Sequence, residues 1–309
     1  MLNNIKVRMR QQFNQLIVKF ITLLPLFIVR FVARRYVAGE KVKNALKVVK
    51  ALNDKGFLAT VDILGEHTND VNVAKQITNN YRTIIQSIHE QNLQCNLSIK
   101  LSHIGMDIST KCIEDNMSKL IDTARMYNNF IRIDMEDASA TDKTFSIFRK
   151  YNDKYNLVGL VLQAYLHRTV NDLNDLKKDS NLNIRLCKGI YRESSDLAIQ
   201  DRNKINENYL KILRFAFENN IYVGIATHDL FLINKSYDLI SELNISKDRF
   251  EFQVLYGVPM SGWVEKHLEH DYKVRVYVPF GKDWYDYSIR RLKENPNMAG
   301  YIFRDIFKR

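Results

Sequence analysis

Arg290 and Arg291 stand side by side in the segment VYVPFGKDWYDYSIRRLKEN, which runs from Val276 to Asn295. Tyr277, upstream, ends a short β-like run, and the arginines fall inside a helical pattern. If DWYDYSIRRLKEN is a helix, Asp283 caps its start, and Tyr287, Arg290, Arg291 and Glu294 share one stripe at i, i+3, i+4 and i+7. Two guanidiniums about 100° apart around a helix can converge on one small anion. Arginine grips a planar carboxylate through two parallel hydrogen bonds, where lysine offers only a point charge. The plainer alternative is a solvated basic stripe in which Glu294 pairs with an arginine, worth on the order of a few tenths of a kcal/mol. The aromatics Trp284, Tyr285 and Tyr287 beside it favour a lined pocket that binds a carboxylate.

Other candidate groups recur at the ends of short apolar runs. The runs are FLATVDIL, CNLSIKLS, FIRID, LVGLVLQA, LNIRLCK, IYVGIAT, FEFQVL and VRVYVP. Their polar ends are Asp62, Lys100, Asp134, Gln163, Arg185 with Lys188, Thr227 with His228, Gln253 and Tyr277. One such residue is ordinary strand-to-loop punctuation. A full set is what an enzyme needs at the C-terminal face of a (βα)8 barrel, where strand ends build the site.

The intervening segments read as helices. In GEKVKNALKVVKALNDKG, Val42, Ala45, Leu46, Val49 and Leu52 share a face; in KINENYLKILRFAFENN, Ile205, Tyr209, Ile212 and Ala216 do. Strands alternating with helices predict parallel pairing with crossover helices. Eight units in roughly 250 residues suit a closed barrel better than an open doubly wound sheet. No GxG occurs anywhere, which removes the main support for a Rossmann dinucleotide domain, and Walker A and HExxH patterns are absent too. The expected architecture is therefore α/β: a distorted (βα)8, TIM-like barrel over residues 56–309, preceded by an N-terminal helical segment, 1–55.

With 309 residues, 46% hydrophobic and 26% charged, the chain has ordinary globular composition. Its net charge of +11 favours anionic partners. The lysines are scattered instead of massed, so nucleic acid is not an expected partner. Three cysteines without close spacing, Cys95, Cys112 and Cys187, point away from a disulfide framework or a zinc site and toward a reducing compartment. The apolar stretch FITLLPLFIV, Phe20 to Val29, is about half the length needed to span a bilayer. It reads as a buried or partner-covering helix, with a membrane-leaning amphipathic surface as the alternative.

Taken together, FIRIDMED, LVLQAYLHRT, RLCKGIYRE, ATHD, EFQVLYG and YVPFG…YSIRRLKEN resemble, in order, the catalytic domain of the proline dehydrogenase family, in its bacterial single-function form. The resemblance begins near Tyr36 and runs to the C-terminus. It implies a distorted barrel that holds FAD non-covalently, oxidises L-proline to 1-pyrroline-5-carboxylate and passes electrons to a membrane quinone. It implies that Arg290 and Arg291 bind the substrate carboxylate, with Lys100, Tyr277 and Tyr287 completing the substrate site. Asp134 and Arg185 match the catalytic positions, Arg185 lying beside the isoalloxazine. Met135, Gln163, Cys187, Lys188, Gly189, Thr227, His228 and Glu294 match cofactor-side positions, and no metal is implied. Cys187 replaces an aliphatic residue common in relatives, a change of little consequence if its backbone makes the contact. The expected location is the cytoplasm, with peripheral contact at the inner face of the cell membrane suggested by the quinone. The rival readings are a folate-type flavin reductase and a lyase using Lys100 or Lys188 as a Schiff-base nucleophile, the latter opposed by Asp134 if it keeps Lys100 charged.

Overall fold

Eight parallel strands pair in sequence order, and the eighth closes onto the first, in a computed structural model of the protein that describes residues 29–30, 33–179, 181–260 and 262–294, of which 153, 154 and 290–294 are described by their backbone alone. The strands are β1 (Leu58–Ile63), β2 (Cys95–Ile99), β3 (Ile131–Ile133), β4 (Val158–Gln163), β5 (Asn183–Cys187), β6 (Tyr222–Ala226), β7 (Phe250–Leu255) and β8 (Val274–Phe280). Each falls within one of the eight apolar runs except β8, which extends one residue further, to Phe280. Closure runs along the whole of β1, from Leu58 opposite Arg275 to Ile63 opposite Phe280. The stretch 20–28, expected to be a helix, lies outside the described residues.

Helix α1 (Val42–Asn53) buries Ala45, Leu46 and Val49, with Val42 and Leu52 packed at the margin of the same core. Crossover helices α2 (Val71–Glu90), α3 (Thr110–Met126), α4 (Thr141–Tyr155), α5 (Thr169–Leu176), α6 (Arg202–Glu218), α7 (Leu230–Glu242) and α8 (Trp263–Glu269) follow the first seven strands, and α9 (Trp284–Glu294) follows β8. On α6, Tyr209, Ile212 and Ala216 join the main core, whereas Ile205 packs on a separate cluster of Tyr165, Leu166 and Ala198. Local chemistry fixes several helix starts: the carboxylates of Asp70, Asp201 and Asp229 and the hydroxyl of Ser109 accept backbone N–H groups in the first turns of α2, α6, α7 and α3. The returns from helix to strand use asparagine in the left-handed region, at Asn92, Asn128, Asn156, Asn220 and Asn244. Its short polar side chain tolerates that conformation where glycine is the commoner choice.

The period-2 alternation of the strands sorts their residues in a way composition conceals. Val, Ile and Leu residues such as Val61, Leu97, Ile99, Ile133, Leu160, Ile184, Leu186, Val223 and Ile225 are buried among the helices. The residues between them face the lumen and are largely polar. Bonds between non-neighbouring strands establish this: Arg185 on β5 donates to Ser98 on β2 at 3.2 Å, and Arg132 on β3 donates to Asn183 on β5. Many barrels fill this space with bulky aliphatic side chains; here the lumen is an ionic network. Gly159 makes room for it, since a Cβ there would lie 2.4 Å from the Arg132 guanidinium.

Outside the barrel, His267 stacks on Phe252 with ring centroids 3.8 Å apart, and its Nδ1 lies 2.8 Å from the Tyr237 hydroxyl. Burial, with help from His270 and Lys266, lowers its pKa to about 4. The folded state thus prefers neutral imidazole, and the unfolded chain takes up the proton first as pH falls. This contribution to stability is complete above pH ~6.5, the free imidazole value, and is lost on acidification toward the folded value. Denaturant unfolding at pH 7 and pH 5 should show a smaller pH effect in His267→Phe than in the wild type; equal slopes would count against the assignment.

Candidate active site

At the C-terminal ends of the strands a cavity of ≈ 780 Å3 opens, within the size range of small-molecule sites, roughly 300–1,000 Å3. It is lined by Lys100, Asp134, Met135, Gln163, Arg185, Cys187, Lys188, Gly189, Thr227, His228, Tyr277 and Tyr287, together with Asp62 and Gln253. The fold therefore gathers on one cavity most of the residues singled out in the sequence, from all eight strand ends and from α9. The side chains of Arg290, Arg291 and Glu294 lie outside the described part of the structure; their backbone belongs to α9, one to two turns beyond Tyr287.

Asp62, at the end of β1 and fully buried, is the hub of the wall. It accepts from Lys100 Nζ at 2.9 Å, from the Tyr277 hydroxyl at 2.8 Å and from the Tyr81 hydroxyl at 3.4 Å. Asp134, just after β3, accepts from Arg185 at 2.6 Å, from Ser98 at 2.6 Å and from Tyr277 at 3.0 Å. Tyr277 thus lies between two carboxylates with one proton to donate. The Arg185 guanidinium carbon sits 5.3 Å from the Tyr277 ring centroid, a cation–π contact that braces both.

The electrostatics follow from this geometry. Burial alone would depress Lys100, but Asp62 and then Asp134 outweigh it and raise its pKa, so the ammonium keeps its proton. Burial pushes the Asp62 carboxyl up against the opposing pull of Lys100. Burial and the two carboxylates hold Tyr277 as a neutral phenol. The sequence suggests Asp134 as the anion that keeps Lys100 charged; in the structure Asp62 is the direct partner and Asp134 the secondary one. A lysine so paired is a poor Schiff-base nucleophile. Lys188 is tied to Asp229 at 2.5 Å.

On the opposite wall, the Gln163 amide donates to the Glu136 carbonyl at 2.9 Å, which turns its oxygen into the acceptor it can offer elsewhere. Glu136 itself is buried and accepts both the backbone N–H and the hydroxyl of Ser102. His228 Nε2 accepts the Leu255 N–H at 3.0 Å, so the ring proton of the neutral imidazole resides on Nδ1. The Thr227 hydroxyl accepts the Asp229 N–H at 3.1 Å, setting the turn into α7. Cys187 points its Sγ toward the Leu162 carbonyl, 3.6 Å away. Gly189 has φ +111°, and a Cβ there would fall 2.1 Å from the Tyr165 ring. Only glycine lets the backbone after β5 run along the cavity in this way.

This donor set suits FAD. Two cations, amide and hydroxyl groups and a glycine-exposed backbone fit its polar and phosphate portions, while Met135, Val161 and Leu255 provide apolar wall for a planar ring. Asp62 and Gln253 were visible in the sequence only as polar strand ends without a role. Ser98 carried no such signal, because a serine inside an apolar run reads as filler.

The proline dehydrogenase family model matches residues 45–302. Proline dehydrogenase 2 of Bacillus subtilis (strain 168) is 38% identical over 281 residues, covering 91% of this chain and 92% of the relative. Proline dehydrogenase of Deinococcus radiodurans is 34% identical and covers 89% of this chain and 90% of the relative. A solved proline utilization A from Bdellovibrio bacteriovorus shares the fold with a TM-score of 0.80 at 23% identity; the match takes in 90% of this chain and 34% of that one.

Proposed function

This chain belongs to the proline dehydrogenase family, and on that premise we propose that it oxidises L-proline to 1-pyrroline-5-carboxylate using FAD held in the barrel mouth. The observation that carries the reading is the circuit Lys100–Asp62–Tyr277–Asp134–Arg185, continuous along one wall of a cavity that Tyr287 of α9 also lines.

The reaction breaks a C–H bond at the ring carbon next to nitrogen and an N–H bond, and makes a C=N bond. Hydride leaves the carbon as the nitrogen lone pair donates, and the amine proton passes to solvent. Bound FAD supplies the hydride acceptor. The protein's share is placement and charge. Lys100, held protonated, and the paired Arg290 and Arg291 bind the carboxylate. The Tyr287 ring packs on the substrate ring, where a hydroxyl substituent would be crowded, so proline is preferred over hydroxyproline. Tyr277 stays a neutral phenol and fills the floor between the two aspartates. Asp134 holds the Arg185 guanidinium in place, where it would stand beside bound FAD and favour the negative charge that reduction brings. Gln163 would offer its oxygen to the bound FAD, Met135 would line the same wall, and Lys188, the backbone of Cys187 and Gly189, Thr227, His228 and Glu294 would hold the rest of the cofactor.

The test is spectroscopic. The purified protein should show flavin absorbance that L-proline bleaches under anaerobic conditions and NADH does not. A colourless preparation that cannot be loaded with FAD, or one bleached by NADH alone, would overturn the reading.

A membrane quinone is the proposed acceptor of the electrons, and it calls for contact with a lipid surface from the cytoplasmic side. No described helix is long and apolar enough to cross a membrane. Exposed apolar residues do gather around the mouth: Val71 and Val73 at the start of α2, Ile190 and Leu197 after β5, and Leu230 and Phe231 at the start of α7. Such a rim supports peripheral contact with the mouth facing the bilayer. Cosedimentation with quinone-containing vesicles should fall at least severalfold in Leu230→Ser/Phe231→Ser; undiminished binding would exclude this rim.

A further inference from the structure

Below the site, the lumen holds a relay that reaches Arg185 from the far end of the barrel. Arg275, on β8, holds Glu251, on β7, in a two-pronged grip, Nε to Oε1 at 2.7 Å and NH2 to Oε2 at 3.0 Å, and its remaining prong donates to the Ala59 carbonyl at 2.8 Å. Glu251 Oε1 accepts from the Gln253 amide at 2.6 Å, and Gln253 Oε1 accepts from Arg185 Nε at 2.5 Å. All four side chains are buried or nearly so, with Glu251 2% and Gln253 5% exposed.

The chemistry of the chain fixes its direction. A guanidinium can only donate and an ionised carboxylate can only accept. An amide between them is satisfied in one orientation alone, NH2 toward Glu251 and oxygen toward Arg185. Glu251 therefore decides which face Gln253 presents to the site. Space is reserved for this arrangement: a Cβ at Gly224, between β5 and β7, would lie 2.4 Å from Gln253 Nε2. Arg185 is thus held from two sides, by Asp134 and Ser98 above and by Gln253 below.

We infer that Gln253, oriented by Glu251 and Arg275, is a positioning residue that fixes the Arg185 guanidinium against the cofactor. The inference rests on the flavoprotein reading above and adds to it a residue and a direction of effect. Without the Gln253 acceptor, Arg185 swings toward its Asp134 partner and its charge is less available to a reduced ring. With a carboxyl group at 253, Glu251 loses the amide donor it holds at 2.6 Å and the two acids share one proton, so a second anion forms beside Arg185 only as that proton is lost.

Two variants separate this role from simple support: Gln253→Met, which removes the acceptor at similar volume, and Gln253→Glu, which keeps an acceptor on Arg185 and so keeps the measurement open if the first is unstable. Flavin content, midpoint potential, and kcat and KM for proline are measured on each. The expected result for Gln253→Met is retained flavin, KM within about twofold of wild type, kcat lowered at least tenfold, and a potential shifted to more negative values; for Gln253→Glu the same shift grows as pH rises and the proton shared with Glu251 is lost. Wild-type potential and kcat in folded, flavin-loaded Gln253→Met, or at every pH in Gln253→Glu, would overturn the inference, as would failure of both variants to fold, which would make Gln253 a structural support. Either outcome leaves the functional reading intact, since that fails only if the wild type binds no flavin or proline does not bleach it.

Discussion

Asp62→Ala should lose roughly 3–5 kcal/mol of folding stability, the usual cost of removing one partner of a buried pair, and most of its activity on proline. Asp62 is 1% exposed in its side chain and Lys100 12%, so the ammonium left behind has little water to turn to. The Tyr277 hydroxyl loses its 2.8 Å acceptor in the same step and retains only Asp134. Two groups of the proposed substrate side are released together, and kcat/KM should fall about a hundredfold or more, equivalent to about 3 kcal/mol of transition-state stabilisation. Asp62→Asn keeps the oxygen and the shape but removes the charge, and should fall between the two. Urea unfolding and steady-state kinetics on the three proteins check this. An unfolding midpoint in Asp62→Ala equal to that of the wild type would show that Lys100 does not depend on Asp62.

The second large effect concerns α9. Arg291→Met should raise the KM for proline from about tenfold to over a hundredfold while leaving flavin content unchanged. The loss corresponds to charge-assisted hydrogen bonds to a carboxylate, about 1.5–3 kcal/mol. Methionine keeps much of the aliphatic stem, and Tyr287, one turn earlier, remains on the cavity. Arg290→Met should act in the same direction. Saturation with proline at wild-type concentrations in either variant would remove the carboxylate clamp from the account; loss of flavin instead of a rise in KM would move the arginine to the cofactor side.

Much of this protein is written locally. Each apolar run between turn signals became a strand because a strand buried on its helix-facing side needs Val, Ile and Leu at every second position, and Val61, Leu97, Ile133 and Ile225 supply them. The strand ends were legible for a related reason. A charged residue that terminates an apolar run, such as Asp134 or Lys188, marks where the chain leaves the hydrophobic layer. The ordered motifs then tied those ends to one family, a link that spacing alone could not make.

Partnerships were not legible. That Lys100 answers to Asp62 and not first to Asp134, that Ser98 anchors Arg185, and that Arg275, Glu251 and Gln253 form one relay all depend on closure of the sheet. Closure brings β8 beside β1 and sets β2, β3 and β5 across a shared lumen. The sequence by itself determined where strands and helices lie and which residues emerge at the mouth, because periodicity and turn chemistry act over a few residues. Only the tertiary structure decided which charge neutralises which, because a buried ion's partner is set by distance across the lumen, and residues more than a hundred positions apart in the chain, Asp62 and Tyr277 among them, become neighbours only when the barrel shuts.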